Sequence, residues 1–199
     1  VIHLILDQAG YNKAAEVREY ALSCERTNDK EHCGGLIGTR VVEDRPDMIQ
    51  NLEPVFSELC QHKEWYNLEY DDAEFKQKWS EMKFMVNHTT HEDIMEKFTD
   101  VCYTYTHHKD NIGSKWAALV YLNKEEECDG GTNFFKWKED DPYGHNYDIN
   151  KDIMFTSEMK YNRMIMYPDQ ILHGSYDKPG FFEGDTYRLV QVFFIPLHF

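Results

Sequence analysis

The sequence predicts an α+β fold, in which a β-rich second half forms a sandwich or barrel flanked by helices from the first half. Two observations carry this. Before residue 100, apolar residues recur at helical spacing. After it, β-branched and aromatic runs alternate with Asp- and Gly-rich turns. Composition supplies the third: 199 residues with 41% hydrophobic and 15% aromatic content hold enough apolar surface for one folded domain. No internal repeat or low-complexity tract is visible.

In chain order, residues 1–6 form a short apolar strand. Residues 13–24 place Ala14, Val17, Tyr20 and Ala21 on one helical stripe. Residues 46–60 read as a second helix, with Met48, Ile49, Leu52, Val55, Phe56 and Leu59 on its apolar positions. Thr90 followed by Asp93 resembles a capping box and opens a helix through Phe98. Beyond it, residues 101–106 and 116–123 are β-branched and aromatic. Asp129-Gly130-Gly131 is a turn leading into a strand at 132–137, and strands follow at 161–167 and 187–195. The expected division is one domain over 1–199, with 1–100 as support and 101–199 as a metal-binding core.

Composition excludes some partners. Lys plus Arg number 21 against 36 Asp plus Glu, a net charge of −15. Phosphate binding needs a cationic face, so neither nucleic acid nor a membrane is an expected partner. A cationic or neutral substrate approaches this surface more easily than an anion. No stretch reaches the roughly 20 apolar residues of a membrane span. The five scattered cysteines do not form a disulfide framework and read as reduced thiols, so the expected location is the cytoplasm. The chain starts without Met, so any targeting information ahead of Val1 is not visible.

Three His-x-acid triplets occur: His62-Lys63-Glu64, His91-Glu92-Asp93 and His108-Lys109-Asp110. Ten histidines among 36 acids in 199 residues give about two by chance, so context decides. The first two lie on helix ends, where such residues are solvated or complement the dipole. His108 and Asp110 end a β-rich run. Residues two apart on a strand share a face, so imidazole and carboxylate converge on one point. One further histidine completes a two-histidine, one-carboxylate triad with three open positions, which suits Fe(II). His173, after the strand at 161–167, is the candidate. His107 is one residue out of phase and faces away. Arg188 sits inside the apolar run 187–195, where a buried cation needs an anionic partner: an internal acid, or the carboxylate of a small co-substrate.

From Tyr105 to Ile195 the chain resembles the Fe(II)- and 2-oxoglutarate-dependent oxygenases, especially their prolyl-hydroxylase-like branch and its uncharacterised bacterial and viral members. Four blocks match in order: His108-Lys109-Asp110; Tyr121-Leu122-Asn123 with Gly130-Gly131-Thr132-Asn133-Phe134; the strand 161–167 leading to His173; and Tyr187-Arg188-Leu189. The resemblance implies a double-stranded β-helix, a jelly roll of cupin type. It implies Fe(II) held by His108, Asp110 and His173, with 2-oxoglutarate bound through its distal carboxylate by Arg188 and Tyr121. The implied reaction consumes O₂, releases succinate and CO₂, and hydroxylates an unactivated C–H bond. The intact Asp110 favours hydroxylation over halogenation. Two departures stand out. Phe98 occupies the place of a co-substrate tyrosine, for which Tyr103 or Tyr105 could substitute. The interval from His173 to Arg188 is also long, with Lys178-Pro179-Gly180 in the extra loop.

Trp116, Asn133 and Arg163, together with Trp137, lie on or beside the expected barrel strands. They are the candidates for holding a substrate: an amino acid, a peptide or another small polar molecule. The polar loop around His145 could close over it. Two other readings stay open from the sequence: a non-catalytic jelly-roll binding module, and a cupin-like metalloenzyme that uses no 2-oxoglutarate.

Overall fold

The computed structural model of the chain describes residues 4–7, 11–25, 38–50, 53–62, 71–100, 108–110, 115–136, 138, 152–176 and 180–196. In chain order the elements are β1 (Leu4–Leu6), α1 (Ala14–Ser23), β2 (Thr39–Glu43), α2 (Pro46–Gln50), α3 (Glu53–Gln61), α4 (Asp72–Ser80), β3 (Phe84–Thr90) and α5 (His91–Asp100). There follow β4 (Lys115–Tyr121), β5 (Gly131–Phe135), β6 (Ile153–Glu158), β7 (Met164–Pro168), β8 (His173–Tyr176) and β9 (Tyr187–Pro196).

Among the described residues nine strands make two antiparallel sheets. The larger has the order β1-β7-β4-β9-β3-β2 and the smaller β6-β5-β8. Strand alternation assigns each side chain of the large sheet to one of two cores. Leu189, Phe193 and Ile195 of β9 face the helices, where they meet Val17, Ile49 and Phe75. Val190 faces the small sheet and packs with Tyr121, Ile165, Tyr167 and Phe134 in a second core. The α+β jelly-roll arrangement with flanking N-terminal helices is therefore present. Three strands of the large sheet, β1, β2 and β3, come from the first hundred residues, the expected helical and strand support, in which only β1 is expected as a strand.

Local chemistry explains the boundaries. Within the helix expected over 46–60 the described residues form two helical stretches, α2 and α3, and residues 51 and 52 between them lie outside the described residues. The cap at Thr90 forms as expected: Asp93 accepts from the Thr90 N–H at 2.7 Å, and Thr90 Oγ1 accepts from the Asp93 N–H at 3.2 Å. β2, β3, β6, β8 and α4 carry no clear periodic signal. β3 has Asn87 and His88 in its middle, and both are buried between neighbouring strands. β8 is the polar His-Gly-Ser-Tyr, held by its ladder to β5. The strand expected at 101–106 lies outside the described residues.

On the helix side Tyr11, Asn162 and Gln191 satisfy one another. Asn162 accepts from Tyr11 N–H at 2.7 Å and donates to Tyr11 O at 2.9 Å, while the Tyr11 hydroxyl donates to Gln191 at 2.6 Å. Among the described residues no helix is long and apolar enough to cross a membrane. The described cysteines Cys24 and Cys128 are free thiols.

Candidate metal centre

His108 and His173 face each other across an isolated antiparallel bridge. His108 N–H donates to His173 O at 2.8 Å, and His173 N–H returns the bond to His108 O at 3.0 Å. Residues exchanging both bonds project their side chains to the same face, and the two rings lie 4.5 Å apart. Asp110 N–H donates to Asp169 O at 3.0 Å, which continues the pairing and turns the carboxylate onto the same face. Ligand atoms of His108, Asp110 and His173 all lie within 4.8 Å of one another.

The Asp110 side chain is 8% exposed and that of His173 is 5%, whereas that of His108 is 59%. Two ligands therefore sit in the wall and one at the mouth. Each imidazole Nε2 approaches Asp110 at 3.5 Å, His108 to Oδ1 and His173 to Oδ2. Asp110 Oδ2 nonetheless accepts no hydrogen bond among the described residues. A buried carboxylate oxygen without a partner is costly. A divalent cation at the centre of the three side chains removes that cost. His173 Nδ1 lies 3.0 Å from Ile171 O, which fixes the proton on Nδ1 and presents the Nε2 lone pair inward, as a metal ligand requires. These residues form a two-histidine, one-carboxylate triad with oxygen and nitrogen donors, the set that suits Fe(II).

Deeper between the sheets lies a second polar group. Arg188 pairs with Thr89 across β9–β3, is 5% exposed, and shares the face of Val190. Asn123 holds this stretch on both sides. Its Oδ1 accepts from Leu189 N–H at 2.7 Å, and its amide donates to Tyr187 O. The Arg188 Nε is buried and makes no hydrogen bond among the described residues. The Tyr121 hydroxyl is 2.8 Å from Thr132 Oγ1 and donates to Ser157 O at 3.3 Å, and Ser157 Oγ is buried without a partner. Burial raises the Tyr121 pKa, and the Arg188 charge partly opposes that. Burial likewise pushes Tyr167 well above the ordinary phenol range, with the Asp110 charge adding to it.

The sequence candidates divide. His108, Asp110 and His173 come together, and Tyr121 and Arg188 share the inner face near them. Trp116, Asn133 and Arg163 do not join them. Trp116 packs against the helix-side core. Asn133 is one residue out of phase with Thr132 and Phe134, and its Oδ1 accepts from Thr156 at 2.7 Å on the outer face of the small sheet. Arg163 pairs with Asp7, at the opposite end of β7 from Asp169. The residues that do line the inner face but escape sequence reasoning are Thr132, Ser157 and Tyr167. For Thr132 the signal was alternation with Phe134, and for Tyr167 alternation with Ile165. Tyr103, Tyr105, His107, Trp137, His145, Lys178 and Pro179 lie outside the described residues.

No family model matches the chain, and no curated protein matches it. Solved structures do. IDO from Bacillus thuringiensis has 9% identity, a TM-score of 0.50, and covers 96% of this chain and 92% of its own. EvdO2 from Micromonospora carbonacea var. aurantiaca has 12% identity, a TM-score of 0.50, and covers 96% and 85%. A prolyl 4-hydroxylase from Phytophthora capsici has 16% identity, a TM-score of 0.49 and 96% coverage, and this chain spans 57% of its length. A Burkholderia pseudomallei oxidoreductase of the 2OG-Fe(II) oxygenase family and the α-ketoglutarate-dependent epimerase SnoN are also similar. The similar structures span several branches and do not single out the prolyl-hydroxylase-like one. What the chain shares with IDO and EvdO2 is the fold.

Proposed function

We propose that the chain is an Fe(II)- and 2-oxoglutarate-dependent dioxygenase that hydroxylates an unactivated C–H bond of an amino acid, peptide or small polar metabolite. The observation that carries this reading is a buried arginine with an unpartnered Nε on the same inner face as a metal triad with an orphaned carboxylate oxygen. A metalloenzyme that uses no keto acid has no use for that cation.

His108, Asp110 and His173 would hold the metal. Arg188 receives the distal carboxylate of the keto acid through paired N–H donors. The Tyr121 hydroxyl turns toward the same carboxylate, and Ser157 Oγ offers a further donor. Ile171 O keeps the His173 ring in its ligating tautomer. Phe134, Ile165 and Val190 exclude water from the space between the two polar groups. Bound Fe(II) and 2-oxoglutarate supply O₂ activation coupled to decarboxylation, with substrate, O₂ and 2-oxoglutarate giving hydroxylated product, succinate and CO₂.

The test is anaerobic addition of Fe(II) and then 2-oxoglutarate. A weak visible charge-transfer band is expected with both present, and none with either alone. Metal uptake without a band or keto-acid binding would instead favour the cupin-like reading. A chain that binds no metal would sink both.

A further inference from the structure

Tyr167 lies among these groups without a role in the reading above. It is 2% exposed, and its ring stands edge-on to Phe134 with centroids 5.1 Å apart. Its centroid is 4.5 Å from that of His173, and its hydroxyl is 3.1 Å from His173 Nε2. A neutral imidazole has one N–H and one lone pair. The N–H is committed to Ile171 O at 3.0 Å, so Tyr167 donates to the single remaining lone pair. A metal at this site needs the same lone pair. The hydroxyl and the metal therefore compete for one atom, and loading the metal leaves a buried O–H without its acceptor.

That hydroxyl cannot turn to solvent. Among the described residues, Asp110, Tyr121 and Arg188 act on it electrostatically. Asp110 is itself a ligand, Arg188 has no lone pair to offer, and the Tyr121 hydroxyl is engaged with Thr132 Oγ1 and Ser157 O. With a metal bound, the acceptor would be an oxygen ligand on that metal.

We propose that Tyr167 is a positioning residue of the metal centre, whose hydroxyl holds His173 in the metal-free chain and donates to the metal-bound oxygen of the keto acid in the loaded one. This rests on the function proposed above. It makes Tyr167 oppose metal binding alone and favour binding of the co-substrate, so that the loaded state is selected by the two together.

Tyr167→Phe removes one oxygen and keeps the ring packed on Phe134. Co(II) affinity, measured by calorimetry without keto acid, is expected to rise about three- to tenfold, the net effect of one lost hydrogen bond. In the Fe(II)-loaded protein, 2-oxoglutarate affinity is expected to fall by a similar factor. The charge-transfer band should move to shorter wavelength, because a lost hydrogen bond raises the acceptor orbital of the keto acid. A purely structural tyrosine would not move the band or shift the two affinities in opposite directions. If the phenylalanine variant does not fold, Tyr167→Met reads the same constants. Any pattern other than tighter metal, weaker keto acid and a shifted band overturns the proposal. A parent that binds both ligands, with a variant identical to it, overturns this inference alone. A parent that binds no metal overturns the proposed function and this inference with it.

Discussion

Replacing Arg188 by Met separates binding from structure, because the two roles predict opposite effects on the empty protein. The guanidinium is 5% exposed and its Nε has no partner among the described residues. Removing it breaks no ion pair there, and methionine fills much of the same volume. The free energy of unfolding of the metal-free chain, from urea titration, should stay within about 1 kcal/mol of the parent or rise. The co-substrate should suffer instead. Two hydrogen bonds to a carboxylate, at about 1.5 kcal/mol each, give about 3 kcal/mol, or roughly a hundredfold in the dissociation constant for 2-oxoglutarate. Fe(II) binding should change little. Arg18→Met is the control. Its guanidinium is equally buried but holds Glu127 at 2.9 and 3.0 Å, so its loss should destabilise the chain by about 2 kcal/mol and leave ligand binding alone. If Arg188→Met destabilises the empty chain as much as Arg18→Met, and weakens iron and keto acid equally, Arg188 is structural and the reasoning is wrong.

Three other outcomes are expected. His108→Ala, Asp110→Ala and His173→Ala should each abolish the Fe(II)/2-oxoglutarate band, and a band that survives any of them would remove that residue from the triad. Gly131→Ala places a Cβ 2.1 Å from Ser157 O at a φ of 155°, so it should cost about 2–4 kcal/mol on thermal unfolding; a neutral result would refute the close approach of β5 and β6. Arg163 holds the Asp7 carboxyl below the usual carboxylate range, chiefly by hydrogen bonding. A depressed folded-state pKa gives stability that is present above about pH 4 and lost as pH falls through the folded value. Arg163→Gln should therefore be slightly less stable than the parent at pH 7 and equal to it at pH 2. The gap is small because Asp7 is half-exposed, and a gap that persists at pH 2 would assign the effect to packing.

The sequence made the metal triad legible because its chemistry survives in one dimension. His108 and Asp110 are two apart at the end of a β-rich run, and His173 follows a strand and turn. Arg188 was legible for a similar reason, since a cation inside an apolar run is unusual. The substrate candidates were chosen by position along strands, and phase misled there. Asn133 and Trp116 each sit one residue from the inner face, and a shift of one residue exchanges the two sides of a sheet. β3 and β8 escaped notice because their polar residues are satisfied by neighbouring strands rather than by a periodic pattern of their own.

What the sequence by itself determined is the inventory: an α+β chain with an excess of acids, three candidate metal ligands and one cation inside an apolar run. Tertiary structure alone decided what that inventory does. The ladder between His108 and His173 aims two imidazoles at one carboxylate. The pairing of β9 with β3 and β4 turns Arg188 inward beside Tyr121. The six-residue path from Tyr167 to His173 folds back so that a hydroxyl meets the ligating nitrogen. The physical reason is that strand propensity sets which residues alternate, while long-range pairing sets the face each one occupies. A site built between the facing sides of two sheets exists only once the register is fixed.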